Sequence, residues 1–323
     1  MNSEPFAKTI LPSRILRLLG MGLLGAVFFL QTLCAHAEAP APSASPVPEG
    51  LALMPGFETL VLNGGCSDQI EVTKDGLDYD GMSWVSDDPE TALVEGRGVV
   101  IALKKGACTV TGTDTDGSGN TVTCTVRVAS NRKAPAVPAS LKGMCYRRKE
   151  KFTPEERRTV EKIVSELAAH VQSGSADCGE RLAYAALGYL GRDYGTLKDH
   201  VDCSMLLFWA AYDNGLYIPR RSDWQAEAML RFEAPENGYR AGDYLFLGAQ
   251  EGDTCRCSGE CTRFRRIHHA AVVLCPYDGG WLVAEASSVI HRVVIRWWDG
   301  SPVHAGFDVA LVARPALLME AAR

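Results

Sequence analysis

The sequence predicts a multidomain chain in which an all-β sandwich precedes a domain built from both helices and strands. Residues 51–129 show short Val, Thr, Cys and Ile runs separated by Asp- and Gly-rich turns, the pattern of a small sandwich. After Thr153 the apolar spacing becomes helical. Further on, RIHHAAVVLCPYDGGWLVAEASS reads as two strands joined by a turn at Asp278, Gly279 and Gly280. At 323 residues the chain is long enough for two folded domains plus linkers.

Taken in order, Arg14 and Arg17 precede an apolar stretch from Leu18 to Leu33 that ends in Ala35-His36-Ala37, the small-x-small pattern of a signal-peptidase site. Residues 1–37 are therefore expected to be a signal peptide cleaved after Ala37, and the protein to be exported, periplasmic or extracellular. The apolar run is shorter than the roughly 20 residues of a comfortable membrane span, so no membrane partner is expected after cleavage. Gln31-Thr32-Leu33 lacks the small residue that lipoprotein processing requires before Cys34. Cleavage removes Lys8, Arg14, Arg17 and Glu4, moving the formal charge from −6 to −8. A mildly acidic exported chain is a poor binder of nucleic acid, and none is expected as a partner.

Residues 38–50, rich in Pro, Ala and Ser, read as an extended tether. Residues 130–152 read as a second linker, Pro-bearing at first and then basic from Arg147 to Lys151, with the basic run expected in solvent. Thr153, Pro154 and Glu156 give a helix start with a capping box. Val160, Ile163, Val164, Leu167 and Val171 form one apolar stripe, so residues 153–175 are expected to be an amphipathic helix packed on the domain that follows, residues 176–316.

Cys203, between Asp202 and Ser204, opens an apolar, helix-like run from Met205 to Tyr212. A thiol at a helix N-terminus feels the positive end of the macrodipole and unpaired backbone N–H groups, which favour the thiolate. Those N–H groups can also hold the oxyanion of an acyl intermediate. A cysteine alone more often packs as a small hydrophobe, but His269 on the first downstream strand and Glu285 on the second supply a base and an orienting group. His269 is preferred to its neighbour His268 because it shares a strand face with Ala271 and Val273. Tyr194 reads either as an oxyanion donor or as a tyrosine packed at a helix end. Asp202 either caps the helix or orients substrate, with capping preferred; Ser204 is equally open, and Arg220 reads as a solvated or structural guanidinium.

Residues from about Asp177 to Pro315 resemble the NlpC/P60 family of cell-wall cysteine peptidases. The motifs that carry the resemblance are Gly191, Tyr194, Asp202, Cys203, Ser204 and Leu206; then Ile218, Pro219, Arg220, Ser222 and Gln225; then Ala241, Gly242, Asp243, Tyr244 and Phe246; and His269 to Val272. The resemblance implies a papain-like α+β fold, with the cysteine on a helix packed against an antiparallel sheet that carries the histidine. It implies Cys203, His269 and Glu285 as the catalytic residues, with Tyr194, Asp202 and Ser204 on the oxyanion and substrate side, and no metal or organic cofactor. The implied substrate is a peptidoglycan stem peptide, cut between D-glutamate and the diamino acid. Met205 departs from the usual glycine, the Pro and Trp-Gly-Gly around Tyr194 are missing, and Glu285 stands where a histidine is common. A carboxylate there is chemically competent.

The earlier domain resembles the bacterial immunoglobulin-like domains of group two, through Ser83, Trp84, Asp88, Pro89, Val94, Gly98, Val99, Ala102, Gly106, Val110 and the closing TVTCTVRV strand. Such domains act as spacers or adhesive modules, so contact with the wall or a surface is its expected role, and Trp84 is expected in the core. Rival readings are an amidase acting on a non-wall substrate and a catalytically silent wall-binding or adhesive protein.

Eleven cysteines fall to ten when Cys34 leaves and to nine once Cys203 is reserved, so they cannot all pair. Cys108 and Cys124 either pair or sit in the sandwich core beside Cys66. The insertion TCRCSGECTRFRR reads as a disulfide-stapled loop through Cys255, Cys257 and Cys261, overhanging the cleft. A metal site with Cys275 or His268 as fourth ligand is the runner-up, because the spacing is not that of a standard zinc knuckle.

Overall fold

The closing strand of the sandwich, Thr121–Val128, alternates strictly: Val122, Cys124, Val126 and Val128 point inward and the residues between them point to solvent. In the computed structural model, residues 50–196, 200–235, 238–250 and 261–321 are described. The expected signal peptide, nearly all of the tether, and Cys255 and Cys257 lie outside these residues. The sandwich comprises β1 (Leu51–Leu53), β2 (Thr59–Leu62), β3 (Ser67–Gln69), β4 (Val72–Lys74), β5 (Leu77–Asp78), β6 (Met82–Ser86), β7 (Ala92–Glu95), β8 (Val99–Ala102), β9 (Gly106–Asp114) and β10 (Thr121–Val128). Its strands pair in the orders β1-β4-β5, β2-β10-β9-β6 and β3-β8-β7, with β2 and β10 parallel. Trp84 packs against the core as expected. Gly112 makes room for it, since a Cβ there would sit 2.8 Å from the indole. Cys108 and Cys124 are free thiols in this core, and Cys66 is also buried.

The second half contains α1 (Pro154–Ser173), α2 (Cys178–Leu187), α3 (Cys203–Tyr212), α4 (Ser222–Met229) and α5 (Pro315–Ala321). Its strands are β11 (Cys145–Arg147), β12 (Glu150–Lys151), β13 (Tyr244–Gly248), β14 (Ile267–Tyr277), β15 (Gly280–Ser287), β16 (Arg292–Trp298), β17 (Val303–His304) and β18 (Phe307–Ala313). They form one sheet in the order β12-β11-β16-β15-β14-β13-β18-β17, antiparallel except for β11 with β16. Helix α1 begins with the capping box of Thr153 and Glu156 and packs on α2. Helix α3 is apolar around its whole circumference, and residues Cys203 to Ala211 are all buried, as befits a helix enclosed on every side. One face of the sheet, including Ala270, Val272, Leu282, Ala284 and Ile295, packs with α2 and α3. The other, including Ala271, Val273, Val283 and Trp298, forms a smaller core. Burial on both faces explains the unbroken apolar runs of β14 and β15.

Two expectations change. The segment read as a linker, 130–152, ends in β11 and β12, because Leu141, Cys145 and Tyr146 are apolar groups that the second core buries. Arg147 is accordingly only partly solvated: it pairs with Glu156 at 3.2 Å and Asp278 at 2.6 Å, and lies 4.4 Å from the Trp297 ring centroid.

The sandwich is also more than a spacer. Residues 47–323 form one compact unit, and Ile101 and Leu103 of the sandwich belong to the same buried cluster as α2 and α3. Arg132 locks this junction. Its guanidinium pairs with Asp213, donates to the Tyr189 hydroxyl at 2.6 Å and lies 4.0 Å from the Trp209 ring centroid. No helix among the described residues is long and apolar enough to cross a membrane.

Candidate active site

Asp202 stands in extended backbone just before α3, and its Oδ1 accepts from the Met205 N–H at 2.8 Å, which caps the helix. Both carboxylate oxygens also accept from Arg220, at 2.9 and 2.7 Å. Arg220 Nη1 donates to Ser204 Oγ at 2.7 Å as well. Gln225 donates to the Ser204 and Pro219 carbonyls at 2.9 and 2.7 Å. The Pro-Arg-x-Ser-x-x-Gln stretch thus braces the first turn of the cysteine helix, and Arg220 is the structural guanidinium of the two alternatives. Burial alone would raise the Asp202 carboxyl pKa, but Arg220 holds it below the usual range.

Cys203 Sγ lies 3.9 Å from the His268 carbonyl oxygen, at the start of β14, close enough to the next residue, His269, to raise the pKa of its ring. His269 Nε2 is 3.2 Å from Glu285 Oε2, so a proton on Nε2 leaves Nδ1 for the sulfur. Burial disfavours the imidazolium, yet the bonds to Cys203 and Glu285 outweigh it and raise the His269 pKa to about 10. Cα pairing of Ala271 with Glu285 puts His269 on a diagonal of the same face.

Two groups here escaped the sequence reading. His304 Nε2 is 3.0 Å from the same Glu285 oxygen, and Arg296 Nε is 3.0 Å from the other, Oε1. Glu285 is fully buried, and although burial opposes ionisation, His269 and His304 hold its pKa well below the ordinary carboxylate value. Arg296 did leave a signal: a lone charge within the apolar run VVIRWW needs a buried partner. His304 left none, since it follows the Asp299-Gly300-Ser301-Pro302 turn at no informative spacing. The Phe307 ring lies tilted beside His269, with centroids 5.6 Å apart.

His268 faces elsewhere. Its Nε2 lies 3.3 Å from Cys261 Sγ, and burial together with Arg263 lowers its pKa. Cys275 is a free thiol that lines a shallow cavity together with Ile163 and Leu167 of α1. Among the described residues, no group of three or more His, Cys, Asp or Glu side chains could hold a metal ion. A cleft of about 400 Å³ opens over Cys203 and is lined by Tyr194, Ser204, Trp224 and His268, and by Glu95 and Arg97 of the sandwich. It brings Tyr194, Asp202 and Ser204 to the thiol, while His269 and Glu285 lie behind it.

A buried thiol paired with an imidazole that a carboxylate holds is the arrangement used by cysteine hydrolases. Residues 58–126 match the family profile described as bacterial Ig-like domain (group 2), and residues 191–257 match that of the NlpC/P60 family. The fold is thus an immunoglobulin-like region followed by an NlpC/P60 α+β domain, and the second match supports a function of the cell-wall hydrolase kind. Similar solved structures include an NlpC/P60 family protein from Bacillus cereus ATCC 10987, at 20% identity and a TM-score of 0.31 over 42% of this chain and 40% of that one. An intimin mutant from EHEC O157:H7 matches at 16% identity and a TM-score of 0.21, over 41% of this chain and 65% of that one. A GH10 xylanase from termite gut that contains a bacterial Ig-like domain matches at 16% and 0.19, over 49% and 38%. A search of curated proteins returns no match.

Proposed function

We propose that this chain is an exported cysteine peptidase that hydrolyses amide bonds in peptidoglycan stem peptides, at the bond between D-glutamate and the diamino acid. The observation that carries the reading is the approach of Cys203, at the first turn of α3, to the start of β14, where His269 is held by the buried Glu285 at 3.2 Å. His269 takes the thiol proton through Nδ1, and the thiolate attacks the scissile carbonyl. Backbone N–H groups of the first turn of α3 and the Tyr194 hydroxyl stabilise the oxyanion. The imidazolium returns its proton to the leaving amine, and the acyl-enzyme is then hydrolysed by water with His269 again as base. Glu285 keeps the ring in one tautomer and stabilises its charged form. Export rests on the signal-like pattern of residues 1–37, and no cofactor is required by this chemistry.

Digestion of purified peptidoglycan and of soluble stem peptides, followed by mass spectrometry, tests the proposal. New fragments ending in D-glutamate are expected with the native protein, and Cys203→Ala is expected to lower their rate by about 10⁴-fold or more. A native protein that leaves both substrates intact while cleaving a non-wall amide would overturn the substrate assignment.

A further inference from the structure

The two-residue turn between β11 and β12, Arg148-Lys149, carries two exposed cations beside a groove of about 490 Å³. Among the described residues, those that line this groove are different from those of the cysteine cleft. The exposed side chains of Val289 and Val303 give it apolar sides. At its base are Arg296 and His304, only 6% and 4% exposed, the same two groups that share Glu285 with His269.

The groove holds cationic hydrogen-bonding capacity that the fold does not use. Arg296 Nε lies 3.0 Å from Glu285 Oε1, but the two are misaligned, so both atoms are buried without a hydrogen-bond partner. Nη2 donates to Ser287 Oγ at 3.2 Å. Nη1 donates to no group among the described residues, which leaves it for the groove that Arg296 lines. Arg148 and Lys149 form no ion pair among the described residues. Asp299, the acid in the lining, has its Oδ1 engaged by the Ser301 N–H at 3.0 Å and feels Arg148 only weakly. Arg148 also stands at φ +56°, in a turn position that glycine or asparagine fills with less strain. An arginine kept at such a position points to a use for its side chain.

We propose that this groove is a second ligand site, for a carboxylate carried on a small aliphatic body, and that its occupancy is transmitted to Cys203 through Glu285. A guanidinium binds a carboxylate through two parallel hydrogen bonds. One buried and one exposed guanidinium, an ammonium and two valines match such a ligand in charge and in apolar contact, and the volume suits one of modest size. Contacts run from the groove to Arg296 and His304, then to Glu285, then to His269 and the sulfur. A negative charge held in the groove is nearer the imidazole than the sulfur, so it favours the imidazolium and thiolate form of the pair over the neutral one. The proposal is independent of which amide the cysteine cleaves.

Isothermal titration calorimetry with N-acetyl-L-leucine, N-acetyl-L-leucinamide, acetate and inorganic phosphate separates the parts of this recognition. With the native protein, N-acetyl-L-leucine is expected to bind with a Kd of about 1 mM, and the other three about tenfold more weakly or worse. Arg148→Gln with Lys149→Gln is expected to weaken N-acetyl-L-leucine binding about tenfold. Val303→Asp, which sets a like charge in the groove, is expected to weaken it by at least as much. Melting temperature and activity without ligand stay unchanged in both variants. The anion site is overturned by an amide that binds as tightly as the acid, by variants that bind like the native protein, or by no binding to the native protein at about 10 mM. Phosphate binding as tightly as N-acetyl-L-leucine overturns the aliphatic part of the assignment. Saturating N-acetyl-L-leucine is expected to speed iodoacetamide labelling of Cys203 about threefold in the native protein, and to leave the rate unchanged in the Arg148→Gln, Lys149→Gln variant. An equal change in both proteins, or none in either, overturns the link to the sulfur.

Discussion

Two polar networks flank the Cys203 sulfur, and they differ in what they leave free to change. On the helix side, one carboxylate (Asp202) meets one guanidinium (Arg220), and the hydrogen bonds to Ser204 and Met205 complete a closed set of charges that does not titrate in the neutral range. On the sheet side, one carboxylate (Glu285) is shared by one guanidinium (Arg296) and two imidazoles (His269 and His304). Glu285 and Arg296 already cancel, so a proton arriving on His269 is unbalanced unless the thiol gives one up. The helix side therefore fixes position, and the sheet side couples charge to the sulfur.

The largest expected effect in this contrast comes from Glu285→Gln. It keeps the side-chain shape but replaces the charged acceptor of both imidazoles with a neutral amide, and it strands Arg296 in the interior. In steady-state assays kcat/KM should fall about 10³-fold, and urea denaturation should show a loss of about 3 kcal/mol. Arg220→Lys should act chiefly on stability, costing about 2 kcal/mol because an ammonium cannot span both Asp202 oxygens. Its kcat/KM should drop only about tenfold, and a larger loss would make the two sides equivalent. His304→Gln keeps a donor toward Glu285 and should lower kcat about threefold with KM unchanged, a loss of well under one ordinary hydrogen bond.

The pH dependence sharpens the comparison further. His269 should hold its proton up to about pH 10 in the native protein, and an NMR titration of Cys203→Ala should show it released at lower pH once the sulfur is gone. Because the folded pKa is raised, the stability this proton contributes is complete below the unfolded value of about 6.5 and is lost as pH climbs through about 10. A Cys203→Ala protein that titrates like the native one would show that Glu285 alone sets the ring's charge.

On the helix side the Asp202 cap was legible, because capping is local to the first turn, whereas the bonds from Arg220 and Gln225 to that turn were not, since spacing alone does not say which side chain a distant guanidinium or amide meets. His269 and Glu285 were legible through strand parity, since neighbours on a face alternate by two. His304 was not, because its approach to Glu285 depends on how the last strands curl around the sheet edge, which no local pattern encodes. The boundary at 130–152 failed for a related reason: a two- or three-residue strand such as β11 is too short to show periodicity, and its parallel pairing with Ile295 and its neighbours is long-range. The sandwich itself was legible, but its docking was not. Ile101 and Leu103 alternate with Val100 and Ala102 of the sandwich core, and only the three-dimensional structure shows which neighbour their face enters.

That shared interior has a consequence for how the chain could be taken apart. Severing it near Ala129 would leave Ile101 and Leu103 facing water on one fragment and uncover the α2–α3 surface on the other, while Arg132 would keep Asp213 but lose the backbone carbonyl of Leu103 to which its own N–H donates at 2.7 Å. The two domains thus share part of one interior, and a foreign module grafted in place of the first would inherit an uncovered apolar seam unless it brought its own aliphatic plug.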